Sequence, residues 1–152
     1  MKIALRILSA AVLLNLLLFW GCSKAGSSDL NWYTNLNQAM KVAQKENRAV
    51  LVDFTGSDWC VWCKRLNNEV FSQKPFVKYA NSNLVLVKID FPEKIKQSSE
   101  TIFYNRQLAQ KFGVQGFPTI FLLNTKGQII AQTGYQQGGA QAYVQHLKSL
   151  IM

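Results

Sequence analysis

Two cysteines separated by two residues form the most reactive pattern in this chain, between Trp59 and Lys64. They follow an apolar run, residues 49–54, that predicts a buried strand. If a helix begins at Cys60, its free N–H groups and its dipole stabilise a thiolate there, which is the species that attacks disulfides. Cys63 lies one helical turn further on, where it can close a disulfide and release the attacked partner. The spacing therefore predicts a reversible two-electron switch.

Two other uses of this cysteine pair are less well supported. A zinc half-site has the same spacing, but tetrahedral zinc needs about two more ligands. The remaining soft ligands are Cys22, beside an N-terminal apolar segment, and His146, near the C-terminus. A purely structural disulfide is disfavoured because so short a loop constrains the unfolded chain little. The sequence favours a redox-active pair that needs no metal and no organic cofactor.

Length and composition indicate one exported domain. The chain has 152 residues, of which 49% are hydrophobic and 16% are charged, which suits a single globular core. The formal net charge is +9, but Lys and Arg are scattered along the sequence with no basic run. This pattern argues against nucleic-acid binding and favours a solvated basic surface.

The first 22 residues are predicted to be a signal peptide, 1–22. Lys2 and Arg6 form a short positive region, and residues 7–20 carry no charge and are mostly apolar. The length of that apolar stretch fits a signal-peptide core better than a full membrane span. The domain is therefore expected in a periplasmic or other extracytoplasmic space.

Cys22 ends this segment, and a polar linker, 23–29, follows it. A Gly-Cys pair at this place resembles a bacterial lipoprotein signal, in which the cysteine becomes the acylated first residue. That pattern usually has Leu and then a small residue before Gly-Cys, whereas Phe19 and Trp20 stand there in this chain. Three interpretations stay open: lipidation of Cys22, cleavage of an ordinary signal, and an uncleaved anchor.

The remaining residues, 30–152, are predicted to alternate helices and strands. Lys74-Pro75 is expected to end the helix that starts at Cys60, with at most a further turn at 76–80. The turn residues 124–127 predict that the last two strands are antiparallel. The expected elements are a helix in 34–47, a strand at 49–54, the helix from Cys60, a strand at 84–89, a helix in 98–112, strands at 119–123 and 128–132, and a helix at 140–151. This order predicts an α/β fold with a mixed central sheet and helices on both faces.

The order of elements, with C-x-x-C after a strand of a β-α-β unit, resembles the thioredoxin superfamily over residues 30–152. The similarity is closer to the small exported disulfide reductases of that superfamily. It departs from thioredoxin in the dipeptide Val61-Trp62, which replaces Gly-Pro, and in a longer segment between Asp90 and Pro118. The matching positions are the strand 52–54, the flanks of the two cysteines, the strand 87–90, the loop 116–119 and Gly134.

The resemblance implies roles for four residues. Cys60 is the expected nucleophile and the more exposed thiol, and Cys63 is the buried resolving thiol. Asp53 is the expected proton acceptor for Cys63, since a carboxyl buried in an apolar strand has a raised pKa; the alternative is a residue bonded to backbone. Pro118 is expected in a cis loop that faces the cysteines.

Four neighbours are expected to contact the client: Trp59, Trp62, Phe117 and Thr119. Trp62 has the alternative of packing locally, and the sequence does not decide between the two. Lys88 has two equal interpretations, as a partner of Asp53 and as a surface lysine. Trp59 and Trp62 are named for their positions beside Cys60, whereas Phe117 and Thr119 are named because the loop 116–119 resembles that of the family.

The predicted function is that of an exported thiol–disulfide oxidoreductase that works mainly as a reductase. Its expected partners are protein disulfide clients and a membrane thiol-relay electron donor, and the chain is expected to be a monomer. The alternatives are a disulfide oxidase or isomerase, a thiol reductase of cytochrome maturation, and a non-catalytic module that binds clients.

Overall fold

The computed structural model describes residues 29–151, so the predicted signal peptide and Cys22 lie outside the described residues. Helices and strands alternate along the chain, as the sequence predicts. The strands are β1 (Trp32–Tyr33), β2 (Ala49–Thr55), β3 (Leu84–Asp90), β4 (Thr119–Leu123) and β5 (Ile129–Thr133). The helices are α1 (Leu36–Glu46), α2 (Val61–Leu66), α3 (Lys74–Asn83), α4 (Ser99–Phe112) and α5 (Gly139–Ile151), and a π-helical turn, Asn67–Phe71, extends α2.

The strands form one mixed sheet in the order β1-β3-β2-β4-β5. β1, β3 and β2 are parallel, while β4 is antiparallel to both β2 and β5. Phe54 in β2 pairs with Thr119, the first residue of β4. The end of β2 and the start of β4 therefore meet at one edge of the sheet, which brings the cysteine segment next to the loop that precedes β4.

Helices cover both faces of the sheet, which confirms the predicted fold class. Val52 and Phe54 pack in a core cluster with α1, and residues of α4 lie against the same cluster. Leu51 packs in a second cluster with α2, α3 and α5. Because successive side chains of a strand point to opposite faces, Asp53 lies on the same face as Leu51, beneath the cysteine helix.

Polar caps fix the ends of two helices near the positions that the sequence predicts. The Asn35 side chain accepts a hydrogen bond from the backbone N–H of Gln38 and starts α1. The Ser98 hydroxyl accepts one from Thr101 and starts α4. Gly113 ends α4 with φ +66°, a left-handed conformation that glycine adopts without steric cost.

Two elements differ from the sequence prediction. β1 was not predicted, because a strand of two residues is too short to show the alternation of side chains that marks a strand. α3 occupies Lys74–Asn83, where at most one turn was expected. Pro75 lies in the first turn of that helix, where its missing N–H would have no intrahelical partner, so it starts α3 instead of breaking the chain there.

Among residues 29–151, no helix is long and apolar enough to cross a membrane. This finding concerns the described part of the chain only and does not test the predicted anchor.

Candidate active site

Cys60 and Cys63 form a disulfide at the start of α2. Cys60 is the N-cap residue, and its Sγ accepts a hydrogen bond of 3.1 Å from the backbone N–H of Cys63. The predicted helix start is thus confirmed. The two residues are 6% and 5% exposed, so in the oxidised protein exposure does not distinguish them as the sequence analysis expected.

Asp53 lies below the disulfide with a carboxyl oxygen that lacks a partner. The residue is 4% exposed, and among the described residues its Oδ1 has no hydrogen bond. Burial raises the pKa of Asp53 to about 7; the positive charge of Lys88 lowers it and the negative charge of Asp90 raises it. At neutral pH this carboxyl is therefore divided between its charged and neutral forms.

A cavity of about 230 Å³ joins Asp53 to the cysteine helix. Asp53 and Cys63 both line it, so the expected proton acceptor and the expected resolving thiol share one space. Lys88 lines the same cavity, and its Nζ lies 5.2 Å from the centre of the Trp32 ring. The other lining residues are mostly polar: Thr55, Ser57, Lys64, Asn67, Asn68 and Phe71.

The loop before β4 faces the last strand and has the predicted proline geometry. The Phe117–Pro118 peptide bond is cis. A Cβ on Gly134 would lie 3.2 Å from the carbonyl oxygen of Pro118, so a glycine allows the two segments to approach closely. The Thr119 hydroxyl donates to Gly116 O over 2.7 Å, and Thr119 is 9% exposed. Its side chain is therefore engaged within the loop, and the expected contact of Thr119 with a client stays a prediction.

Trp59 is held in place on one side of the disulfide. Its Nε1 donates a hydrogen bond of 2.8 Å to Phe91 O, and its ring meets the Phe117 ring edge-on at 5.9 Å. Phe91 in turn stacks on Phe117 at 5.1 Å. A Cβ on Gly56 would lie 2.5 Å from the indole, so only glycine leaves room for this ring position. Trp59 nevertheless remains 39% exposed.

Asp58 fastens the loop between β3 and α4, residues 91–98, here called the rim loop. Its carboxylate accepts the backbone N–H groups of Glu93, Lys94 and Ile95 at 2.9, 2.7 and 3.0 Å. These bonds, led by that of Glu93, lower the pKa of Asp58 below its usual value. No local signal in the sequence reveals this role of Asp58, because its partners lie more than thirty residues away.

Trp62 lies on the other side of the disulfide in a network of side chains. Its ring is 5.4 Å from that of Tyr135, and the Arg65 guanidinium lies 5.2 Å from the Trp62 ring. Glu69 accepts from Arg65 Nε at 3.1 Å and from the Tyr135 hydroxyl at 2.6 Å. Trp62 is still half exposed, so it packs locally and also faces solvent. Tyr135 was not predicted to be part of this site.

This arrangement has counterparts among known proteins. A family model described as a thioredoxin-like domain matches residues 36–150. The chain belongs to the thioredoxin superfamily. Its sequence is 30% identical over 125 residues to the disulfide bond reductase DsbH of Chlamydia pneumoniae, covering 82% of this chain and 75% of that protein. A solved structure of a DsbH oxidoreductase superposes with a TM-score of 0.78 at 28% identity, covering 88% of this chain and 92% of that one.

Two further proteins are similar to most of this chain. It is 31% identical over 122 residues to the thiol:disulfide interchange protein DsbD of Pasteurella multocida, covering 78% of this chain but 19% of DsbD. A thioredoxin from Thermus thermophilus superposes with a TM-score of 0.61 at 20% identity, covering 81% of this chain and 88% of that one, which shows the shared fold alone. With its Cys60–Cys63 disulfide, the DsbH-like chain is a thiol–disulfide oxidoreductase. No cluster of metal-ligating side chains occurs within the part of the chain that the structure describes.

Proposed function

We propose that this chain is an exported reductase of protein disulfides, with Cys60 as nucleophile and Cys63 as resolving thiol. The observation that carries the proposal is the position of Cys60 Sγ at the start of α2, where the N–H of Cys63 points at it over 3.1 Å. The same N–H can stabilise a thiolate on Cys60 in the reduced protein. Cys63 follows it in the first turn of the helix, next to the cavity that holds Asp53.

The reaction transfers two electrons from the reduced enzyme to the client. The Cys60 thiolate attacks one sulfur of a client disulfide, forms a mixed disulfide and releases the other client sulfur as a thiolate, which takes a proton from water. Cys63 then loses its proton and attacks Cys60 Sγ. This step forms the Cys60–Cys63 disulfide and releases the second client sulfur. A thiol-relay protein in the membrane, the proposed electron donor, reduces the enzyme for the next cycle.

Asp53 is the proposed acceptor of the Cys63 proton. Its unpartnered Oδ1 and its pKa of about 7 suit a group that takes and returns a proton near neutral pH. The raised pKa argues against a purely backbone-bonded role, since such bonds favour the charged form and lower the pKa. Asp53→Asn should slow the resolving step by about 10²-fold, the usual range for loss of one acid–base group.

The direction of reaction follows from the charges around Cys60. A strong oxidant of this kind over-stabilises its reduced thiolate. Here the dipeptide between the cysteines is Val61-Trp62, which offers no cation, and the guanidinium of Arg65 is engaged by Glu69. The Lys64 ammonium is bound to Asp58 O over 2.8 Å. Weak stabilisation of the thiolate favours the disulfide form of the enzyme and hence reduction of the client.

The client is proposed to cross the surface formed by Trp59, Trp62 and Phe117, beside Pro118. Trp59 and Trp62 flank Cys60 and keep part of their rings in solvent. Proline has no N–H, so Pro118 cannot bond to its own neighbours through that group and leaves adjacent backbone free for an extended client. Thr119 can take part only through its backbone, because its hydroxyl is bound to Gly116.

The equilibrium redox potential of the Cys60–Cys63 couple tests the proposed direction. We expect a value near the thioredoxin potential of about −270 mV, not near the oxidant value of about −120 mV. The purified domain should also speed the reduction of insulin by dithiothreitol. Cys60→Ser should abolish this activity, while Cys63→Ser should accumulate mixed disulfides with clients. A measured potential close to the oxidant value of about −120 mV would instead indicate an oxidase on the same fold.

Export is proposed because residues 1–22 resemble a signal peptide, and anchoring is proposed because Cys22 ends that segment. Acylation of Cys22 would hold the domain at a membrane, since covalent lipid supplies apolar surface that the described helices lack. Cys22→Ala should then move the mature protein from the membrane fraction to the soluble exported fraction. Retention in the membrane with the signal still attached, measured by mass, would point to an uncleaved anchor. The expected monomer can be checked by light scattering of the domain.

A further inference from the structure

The rim loop has a fixed backbone but turns its side chains to solvent. Asp58 holds the N–H groups of residues 93–95, and Gln97 Nε2 donates to Asp90 O over 3.2 Å. Residues 93–96 are all exposed, and Ile95 is 59% exposed. An ordered loop that buries none of these side chains does little for the core, which suggests that it holds them for something outside the domain.

Exposed apolar side chains concentrate around Cys60 and in the stretch that runs from the rim loop into α4. Among the described residues, six of the eight large apolar side chains that are most exposed lie in segments 59–62 and 95–103. Soluble domains seldom keep such groups together on the surface unless they bind a partner. The six are Trp59, Val61, Trp62, Ile95, Ile102 and Phe103.

Ile95 lies within reach of any chain that contacts Cys60. Its backbone N–H is 3.0 Å from the carboxylate of Asp58, which is two residues from Cys60, or at most about 7.6 Å of chain. An extended client rises about 3.3 Å per residue, so side chains about two to four positions from its cysteine pass this part of the rim loop. The client that Cys60 attacks is therefore the occupant of this surface.

Charge does not favour either sign of client at this edge. Segments 58–69 and 90–96 together carry four basic and four acidic side chains. The net formal charge of the surface around the disulfide is thus close to zero, although the whole chain is basic. Selection among clients here depends on apolar contact more than on charge.

We infer that Ile95, held beside Trp59 by Asp58, is a client-binding residue that favours disulfides flanked by large apolar side chains. This inference rests on the proposed function, since it names the substrate class of the same site. Asp58 is a positioning residue in this arrangement, because it acts on the client only through the rim loop.

Two synthetic disulfide peptides test the inference. They have the same cystine and the same charges, and differ in carrying Leu or Ser at the positions two to four residues from each cysteine. The full domain should reduce the Leu peptide with a kcat/KM about tenfold higher, the factor that burial of one half-exposed isoleucine can supply. Most of the difference should lie in KM, and raising the salt concentration should leave the ratio unchanged.

Ile95→Ser should lower the Leu-to-Ser ratio towards one, mainly by raising the KM for the Leu peptide. Ile129→Ser is the matched control, since Ile129 is 52% exposed in β5 and pairs with Leu123, at the end of the sheet away from Cys60. It should keep the wild-type ratio. Asp58→Asn should lower the ratio as Ile95→Ser does. If Asp58→Asn does not fold, the result for Ile95→Ser decides the test.

Three results would overturn the inference. The first is an unchanged ratio in Ile95→Ser, and the second is an equal fall in Ile129→Ser. The third is a wild-type enzyme that reduces both peptides equally well, which would leave the proposed reductase intact. An enzyme that reduces neither peptide would instead remove the proposed function, and this inference with it.

Discussion

Asp53 and Asp58 both precede the cysteine pair, and their pKa values are shifted in opposite directions. Asp53 ends up buried beneath the disulfide, and burial raises its pKa to about 7. Asp58, five residues later, is exposed and accepts three backbone N–H groups of the rim loop, which lower its pKa. The same side chain therefore has two different charge states at neutral pH within one short segment.

The difference shows that solvent access and hydrogen bonding decide what each carboxyl can do. Asp53 has an oxygen without a partner, so it can gain or lose a proton near neutral pH without breaking a bond. Asp58 would lose three hydrogen bonds to a carboxylate if it were protonated, so it remains charged and holds the rim loop. In the proposed mechanism, Asp53 accepts a proton and Asp58 keeps the client surface in place.

The largest expected effect is on stability after Asp53→Asn. Because the pKa of Asp53 is higher in the folded protein than its usual 3.8, the folded state binds that proton more tightly than the unfolded state does. Wild-type stability should therefore fall as pH rises from about 4 to about 7, by on the order of 4 kcal/mol at roughly 1.4 kcal/mol per pH unit. Asp53→Asn should remove this dependence and be the more stable protein above neutral pH.

Denaturant unfolding of the oxidised proteins between these pH values measures the effect. Asp58→Asn serves as the contrasting variant, since the pKa of Asp58 lies below its usual value and its stabilising bonds are lost only in stronger acid. It should keep the wild-type slope between about pH 4 and 7. Parallel curves for wild type and Asp53→Asn would mean that folding does not raise the pKa of Asp53.

The next largest effect should follow Asp58→Ala and be confined to the rim loop. The amides of Glu93, Lys94 and Ile95 lose their acceptor and should exchange hydrogen much faster with solvent. Lys126 provides an internal control, since its amide is held by Asn124 Oδ1 at 2.9 Å in the β4–β5 turn and should not change. Equal protection of residues 93–95 in the variant would show that other contacts hold the loop.

A smaller effect is expected from Gly56→Ala, which disturbs the rim without changing charge. The new Cβ would lie 2.5 Å from the Trp59 indole, so the ring must move and lose its bond to Phe91 O. We expect a loss of about 1 kcal/mol, the usual net value of one hydrogen bond. Trp59→Phe already lacks that bond, so Gly56→Ala should lower the free energy of unfolding less in the Trp59→Phe background than in the wild type. Full additivity of the two substitutions would argue against a shared contact.

The smallest effect concerns Lys88 and sharpens the account of Asp53. The positive charge of Lys88 lowers the pKa of Asp53, although burial outweighs it. Lys88→Met should therefore raise that pKa above about 7. The carboxyl carbon signal of Asp53, followed by NMR across the titration, measures the change. A fall in the pKa would show that Lys88 acts on Asp53 mainly by keeping water away from it.

Local patterns in the sequence predicted the elements that carry the chemistry. The apolar run before Cys60 sufficed for β2 and the start of α2, and the loop 116–119 sufficed for the cis peptide bond at Pro118. β1 and α3 could not be predicted in the same way. β1 exists through its pairing with β3, and α3 begins at a proline that equally suits a break.

The burial of Asp53 was predictable because its neighbours in the strand are apolar. The role of Asp58 was not, since its partners are 35 to 37 residues further along the chain and are backbone groups that any sequence could provide. The hydrogen bond of the Thr119 hydroxyl was not predictable either. Its bond to Gly116 depends on a loop conformation that residue types alone do not specify.

The direction of β1 determines how a tether would orient the domain. β1 runs parallel to β3 and β2, and Cys60 follows the far end of β2. Whatever precedes Asp29 therefore joins the domain at the end of the sheet opposite the disulfide. A lipid or helical anchor attached there would leave the disulfide facing away from the bilayer. The length of the linker would then set how far from the membrane the disulfide can reach.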